Sequence, residues 1–283
     1  MRILVTGALG FSGRHLVEQL KQAGADDIYC ADFKSGTAGE FLQYDLTSED
    51  AAGDLVERVI PDQIYHLAGT FTNDYNTDYA ANVISGRNLL ESVRKVNRQC
   101  RVLLVGSSAE YGVTLPEQNP IREDCALRPV SIYGLTKVFQ TYLGIFYVSV
   151  HNLDIVTVRP FNLLGRGISA RLFVGHVYQQ IEEHLGGKRT KISVGNLESR
   201  RDYLAIEDAA RAYIGVMQKG LTGEIYNVGS GASISIRSLL ERILAESGLG
   251  MNVVEERPAA VDNKLDVANL FADVSKLRSL MSC

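Results

Sequence analysis

A glycine-spaced turn set between an apolar run and an amphipathic segment constrains this chain more than any other feature. Ile3-Leu4-Val5 leads into Thr6-Gly7-Ala8-Leu9-Gly10-Phe11-Ser12-Gly13, and beyond the turn Leu16, Val17 and Leu20 fall on one helical face. Strand, tight turn and helix in this order bring backbone N–H groups and the positive end of a helix dipole to a phosphate. The glycines at 7, 10 and 13 form a Gly-x-x-Gly-x-x-Gly variant of the commoner dinucleotide fingerprint. Asp27-Ile28-Tyr29-Cys30-Ala31-Asp32 reads as the next strand. It closes a unit of about 30 residues with parallel strands and a right-handed crossover.

The alternation continues. Gln63-Ile64-Tyr65-His66-Leu67-Ala68, Arg101-Val102-Leu103-Leu104-Val105 and Asp154-Ile155-Val156-Thr157-Val158 are further strand candidates, with a helical stretch over 82–96 between the first two. Strands buried on both faces predict an α/β fold built on a Rossmann-type doubly wound parallel sheet. After Arg159-Pro160-Phe161-Asn162 the texture changes. Gly165-Arg166-Gly167 opens a segment with a polar helix and an expected hairpin through Lys191-Ile192-Ser193-Val194. A helix from about Glu207 and the run Glu224-Ile225-Tyr226-Asn227-Val228 then return to the sheet. The expected organisation is a nucleotide-binding domain over 1–163 and 204–229, interleaved with a smaller substrate-binding subdomain over 164–203 and 230–283.

A length of 283 residues accommodates both units. No apolar run approaches the roughly 20 residues that span a bilayer, and the opening residues read as a first strand rather than a signal peptide. Cys30, Cys100, Cys125 and Cys283 lack metal-ligand spacing, so reduced thiols in a cytoplasmic protein are expected, with neither a disulfide framework nor a metal. With 29 basic against 33 acidic residues, a broad nucleic-acid surface is excluded. A small anionic ligand met by local arginines is not.

Tyr133 and Lys137, at i and i+4, share one helical face. A phenol with a pKa of about 10 becomes a better proton donor beside an ammonium that stabilises phenolate. Ser107 and Ser108 follow the strand ending at Val105, where ligands collect at the carboxyl end of a doubly wound sheet. Around the glycine turn, Gly7, Gly10, Phe11, Ser12 and Gly13 form the candidate phosphate cradle. Asp32, 19 residues after Gly13, stands where a carboxylate accepts hydrogen bonds from an adenosine ribose, favouring NAD over NADP. Lys34 lies where it would attract a 2′-phosphate instead. Asp45 and Leu46 are candidates for the adenine side, or Asp45 is an ordinary helix-entry residue.

The glycine turn, His66-Leu67-Ala68-Gly69, Gly106-Ser107-Ser108-Ala109-Glu110-Tyr111-Gly112, Tyr133-x-x-x-Lys137 and Arg159-Pro160-Phe161-Asn162 together resemble the extended short-chain dehydrogenase/reductase family, whose members mostly act on nucleotide sugars. Val194-Gly195-Asn196-Leu197-Glu198-Ser199-Arg200-Arg201-Asp202-Tyr203 and Gly223-Glu224-Ile225-Tyr226-Asn227-Val228-Gly229-Ser230-Gly231 look like the branch that reduces GDP-4-dehydro-6-deoxy-D-mannose. The resemblance implies Ser107, Tyr133 and Lys137 as catalytic residues, NAD or NADP as cofactor, and Leu67 and Ala68 beside it. It implies Ser108 and Asn162 at the sugar nucleotide, and Arg200, Arg201 and Arg257 at its diphosphate or base, where guanidinium forks match phosphate oxygens.

Related dehydratases place an acidic pair directly after the catalytic Ser or Thr. Here Ser108 and Ala109 occupy those positions, with Glu110 one place too late, so net C4 reduction is expected, with 4-epimerisation and retained NAD as the alternative. A dinucleotide-binding scaffold without chemistry would tolerate loss of Tyr133 or Lys137, and both are present. A homodimer is usual in the family. The helix bearing Phe139, Tyr142, Leu143, Phe146 and Tyr147 would supply one side of its interface, unless that stripe is ordinary core.

Overall fold

Strands whose side chains are apolar on both faces need helices above and below them. The computed structural model, which describes residues 1–34, 41–257 and 269–282, satisfies that need with one seven-stranded sheet. Its strands are β1 (Ile3–Thr6), β2 (Ile28–Asp32), β3 (Phe41–Gln43), β4 (Gln63–His66), β5 (Arg101–Val105), β6 (Ile155–Pro160) and β11 (Ile225–Val228). The order is β11-β6-β5-β4-β1-β2-β3, and every neighbouring pair is parallel. The chain reverses its direction of winding between β1 and β4, the crevice where such sheets bind ligands. The Rossmann-type sheet expected from the sequence is the observed one.

Helix α1 (Phe11–Gln22) and α7 (Ile206–Lys219) cover one face, where Leu16, Leu20, Ile206 and Val216 pack on Val5, Val156 and Val158. Helices α2 (Glu49–Val59), α4 (Ser85–Val96) and α5 (Ile132–His151) cover the other through Leu55, Val56, Leu89, Leu90 and Tyr147. The short α3 (Tyr75–Tyr79) precedes a π turn at Ala80–Ile84, so the helix predicted over 82–96 becomes α-helical only from Ser85. The wider turn sets Asn82 inward, where it accepts from Thr70 N and donates to the Thr136 hydroxyl. Ser131 caps α5 by accepting from Gly134 N, a contact worth about 1 kcal/mol to a helix.

A separate apolar cluster lies beyond β6. It joins α6 (Phe173–Leu185) and α8 (Ile236–Ala245) through Val177, Ile181, Leu240 and Leu244. Strand β8 (Ile192–Val194) pairs in parallel with β13 (Val254–Glu256), so the hairpin expected through 191–194 does not form. The partner strand lies 62 residues along the chain, Ile192 facing Val254, and period-two patterning carries no information about such a distant pairing. Strand β7 (Asn162–Leu164) pairs with β10 (Tyr203–Ala205), while β9 (Arg200–Arg201) sits between β12 (Ile234–Ser235) and β14 (Asn269–Leu270). The terminal α9 (Ser275–Ser282) packs on α7.

Asp202, fully buried between β9 and β10, ties these pieces together. One carboxylate oxygen accepts from Ser230 N and Oγ, at 2.7 and 2.6 Å, and the other from Gly231 N and Ala272 N. Its carbonyl accepts from the Asn162 side chain at 2.9 Å, and its own N–H donates to Leu270 O. No described helix is long and apolar enough to cross a membrane.

Candidate active site

The carboxyl ends of β1, β4, β5 and β6 open into a cavity of about 600 Å³. Gly7, Gly10, Phe11, Ser12 and Gly13 line one end of it. Gly7 has φ +70°, and a Cβ there would stand 2.7 Å from Ala68 N. At Gly13 a Cβ would fall 2.2 Å from Gly7 O, so only hydrogen lets α1 approach the turn. Helix α1 has no side-chain cap, which leaves its first-turn N–H groups for an anion. Among the described residues that line the cavity there is no carboxylate, whereas Lys137 and Arg201 contribute positive charge. The cradle therefore fits the diphosphate of a dinucleotide.

Leu67 lines the cavity and Ala68 lies beneath it, its N–H directed to the Thr6 hydroxyl. Asp32, at the end of β2, uses both carboxylate oxygens locally, accepting from Leu9 N at 3.1 Å and Lys34 N at 3.2 Å. It fixes the turn from outside the cavity wall. Asp45 and Leu46 are not brought to the cavity either. Asp45 accepts from Thr47 N and Oγ1, as a turn-forming residue does, and Leu46 packs into the core under α4 with its carbonyl held by Asn88.

Ser107, Ser108, Tyr133 and Lys137 line the other end. The Ser107 hydroxyl faces the Tyr133 phenol closely enough to lower its pKa, and it accepts from Ala109 N at 3.1 Å. Burial pushes that phenol up to about 12, the Ser107 contact pulls it back, and the charges of Glu110 and Asp78 add to the rise. At neutral pH Tyr133 holds its proton. One turn along α5, Lys137 Nζ donates to Val105 O and Gln140 Oε1, both at 2.9 Å, and stands 5.9 Å from the Tyr133 ring centre. Burial draws the ammonium down to about 8, and the Glu110 charge opposes that fall.

The loop carrying Ser107 is held by a buried acid that sequence reading set aside. Glu110 Oε1 accepts from Ser107 N at 2.8 Å, and Oε2 accepts from Thr141 Oγ1 and Arg159 Nε, also at 2.8 Å. Arg159 continues to the Tyr111 hydroxyl, which donates to Asn227 Oδ1 on β11. Arg159 is the lone charge in the strand Ile155–Pro160. That signal demands a buried partner, although it does not say which residue provides one.

Asn162 lines the cavity with its amide nitrogen anchored to Asp202 O. Successive strand residues point to opposite faces, and β9 separates its two arginines accordingly. Arg201 lines the cavity, whereas Arg200 is exposed and donates to Ser233 Oγ and O. Arg257 is exposed and away from the cavity wall, its N–H donating to Val194 O. Sequence reasoning also passed over Tyr213, a buried residue of α7 that reaches the cavity wall.

A glycine cradle opposite a Ser-Tyr-Lys centre, across the switch point of a doubly wound sheet, defines an NAD(P)-dependent oxidoreductase of the extended short-chain type. The chain belongs to the NAD dependent epimerase/dehydratase family, whose profile matches residues 3–229. It is 28% identical to the GDP-6-deoxy-D-mannose reductase of Pseudomonas aeruginosa over 90% of this chain and 83% of that protein. It is 31% identical to the UDP-glucose 4-epimerase of Mycolicibacterium smegmatis over 88% of this chain and 83% of the relative. The solved structure of RMD from Pseudomonas aeruginosa complexed with NADPH superposes with a TM-score of 0.84 at 25% identity, covering 99% of this chain and 91% of that one. These findings bear out the family resemblance drawn from the sequence motifs.

Proposed function

We propose that this enzyme reduces the C4 ketone of a nucleotide-linked 4-keto-6-deoxy sugar, with GDP-4-dehydro-6-deoxy-D-mannose as substrate and NADH or NADPH as the reductant. The observation that carries the reading is that Ser107, Tyr133 and Lys137 converge on one cavity lined by no carboxylate among the described residues. Such a site delivers a proton to an oxygen, and its described residues supply no carboxylate pair with which to eliminate water across C5 and C6. The acid nearest in sequence, Glu110, is committed to Arg159 and Thr141.

The glycine turn and α1 bind the diphosphate of the dinucleotide, Leu67 and Ala68 flank it, Asp32 serves the adenosine ribose, and Lys137 holds the nicotinamide ribose. When bound, the dinucleotide supplies the hydride. Ser107 orients the substrate carbonyl oxygen, and Tyr133 donates its proton to that oxygen as negative charge develops there. Lys137 stabilises the phenolate left behind. Ser108 and Asn162 contact the sugar, and Arg201 meets the sugar-nucleotide diphosphate. Arg200 and Arg257, away from the cavity wall, serve at most its outer end.

The similarity to an epimerase at 31% identity favours one second reading, 4-epimerisation. An epimerase keeps its dinucleotide through turnover, whereas a reductase consumes it. The test mixes the protein with NADH or NADPH and either GDP-4-keto-6-deoxymannose or a dTDP-linked 4-keto sugar, and follows loss of reduced-nicotinamide absorbance. Stoichiometric loss with the GDP sugar establishes the reading. No loss with either sugar, together with NAD released on denaturation, replaces it with epimerisation.

The proposed assembly is a homodimer through α5. Tyr142, Ile145, Phe146 and Val150 form an exposed apolar stripe on that helix, while Tyr147 is buried and donates to Glu91. The buried thiol of Cys100 suits a reducing cytoplasm, the proposed compartment.

A further inference from the structure

Tyr213 is 1% exposed, and its ring is part of the apolar cluster formed by Val156, Val158, Ile206 and Val228. Its residue lines the cavity, yet its hydroxyl has no hydrogen-bond partner among the described residues. Other buried side chains carry an unpartnered polar atom, including His66, Gln140 and Ser193, but none of the others lines this cavity. A hydroxyl taken out of water and left unpaired is costly to a folded chain. Its retention at a cavity wall indicates an acceptor that arrives with a ligand.

The position narrows what that acceptor is. Tyr133 reaches the cavity from α5 on one layer, and Tyr213 reaches it from α7 on the opposite layer, close enough for the two phenols to influence each other. Burial raises the Tyr213 phenol above its ordinary value, and Tyr133 pushes the same way, so Tyr213 keeps its proton and can donate it in a hydrogen bond. The diphosphate lies at the glycine turn and the reacting carbon beside Tyr133. Of the parts of a nicotinamide dinucleotide, the ring between these two points carries an uncharged carbonyl next to its reacting carbon.

We propose that the Tyr213 hydroxyl donates a hydrogen bond to the carboxamide oxygen of the nicotinamide and so sets which face of that ring is turned to the substrate. The assignment rests on the dinucleotide reading above and adds a contact from α7, outside the Ser-Tyr-Lys centre.

The test uses the full chain and Tyr213→Phe, with NADH, NADPH and ADP-ribose as probes, the last lacking the nicotinamide. The expected result is a loss of roughly 3- to 10-fold in NADH or NADPH affinity, the worth of one neutral hydrogen bond, with ADP-ribose binding unchanged. The Tm of the ligand-free variant is expected to equal or exceed that of the parent, because the hydroxyl it removes has no partner among the described residues. Equal losses for NADH and ADP-ribose, or no loss for either, overturn the assignment. So does a Tm several degrees lower, which would reveal a structural partner. A parent protein that binds none of the probes overturns the dinucleotide reading, and this assignment with it.

Discussion

Arg159 Nε stands 2.8 Å from Glu110 Oε2, and neither side chain meets solvent. The same carboxylate receives the Ser107 N–H, so the pair holds β6, α5 and the loop carrying the Ser107 hydroxyl in one arrangement. Removing one partner of a buried ion pair leaves the other charge uncompensated and costs about 3–5 kcal/mol. Arg159→Met is therefore expected to unfold at markedly lower denaturant than the parent, and adding Glu110→Gln to it should recover part of the loss. Equilibrium urea unfolding measures both, and an unchanged midpoint for Arg159→Met would show that the pair does not hold this loop.

Tyr133→Phe removes the proposed proton donor and little else. Turnover should fall by about 10²- to 10⁴-fold, the usual worth of a positioned general acid, while NADH or NADPH affinity stays within about twofold. Parallel steady-state kinetics and fluorescence titration separate the two effects. Near-normal turnover would remove Tyr133 from the chemistry.

Lys137 gives the reaction a limit at alkaline pH. Burial brings its ammonium from 10.5 to about 8, so the charge supporting the Tyr133 phenolate disappears as pH rises through about 8, and turnover declines with it. Lys137→Arg, whose guanidinium stays charged, should be slower at neutral pH but lack that decline. The linked stability effect has the opposite slope. Between about 8 and 10.5 the unfolded chain still binds this proton and the folded chain does not, so this group's contribution to unfolding free energy rises with pH. A decline retained in Lys137→Arg would assign it to another group.

The Asp32 carboxylate at the end of β2 is expected to disfavour a 2′-phosphate, so kcat/KM should be higher with NADH than with NADPH. Asp32→Asn should shrink that ratio by about tenfold, equivalent to about 1.4 kcal/mol. Lys34, whose N–H already meets Asp32, is placed to help a phosphate once the negative charge is gone. Kinetics with both cofactors decide the matter, and a ratio unmoved by the substitution would leave Asp32 with only its turn-holding role.

The exposed α5 stripe is the proposed homodimer surface. Tyr142→Glu combined with Phe146→Glu should convert a dimer to a monomer in sedimentation equilibrium while leaving the fold intact, because both residues already face solvent in the single chain. A parent protein that sediments as a monomer at micromolar concentration would remove the dimer proposal.

The parts of this site legible in the sequence were those whose constraints act locally. Gly7 needs a positive φ and Gly13 a missing Cβ, and Tyr133 and Lys137 meet because four residues make about one helical turn. What escaped depends on long-range register. Glu110 looked like an acid displaced from a catalytic position until β6 brought Arg159 to it across 49 residues. Arg200 and Arg201 look equivalent as letters, and only strand alternation sends one to the cavity and the other to Ser233. In the α5 aromatic stripe, Tyr147 turns inward to Glu91 while Phe146 beside it stays outside, a division that composition does not announce.

Asp202 fastens three distant stretches of the chain at the edge of the cavity. Its carboxylate, carbonyl and amide together gather the segments at 162, 230–231 and 270–272, and the cavity-facing Arg201 is its immediate neighbour. The segment that carries Arg201 is thereby clasped to the one that leaves β6, alongside the pairing of β7 with β10. On the proposed reading, in which Arg201 meets the substrate and Ser107, Tyr133 and Lys137 act on it, a change in these clasped segments would alter which sugar is met while the three keep their places.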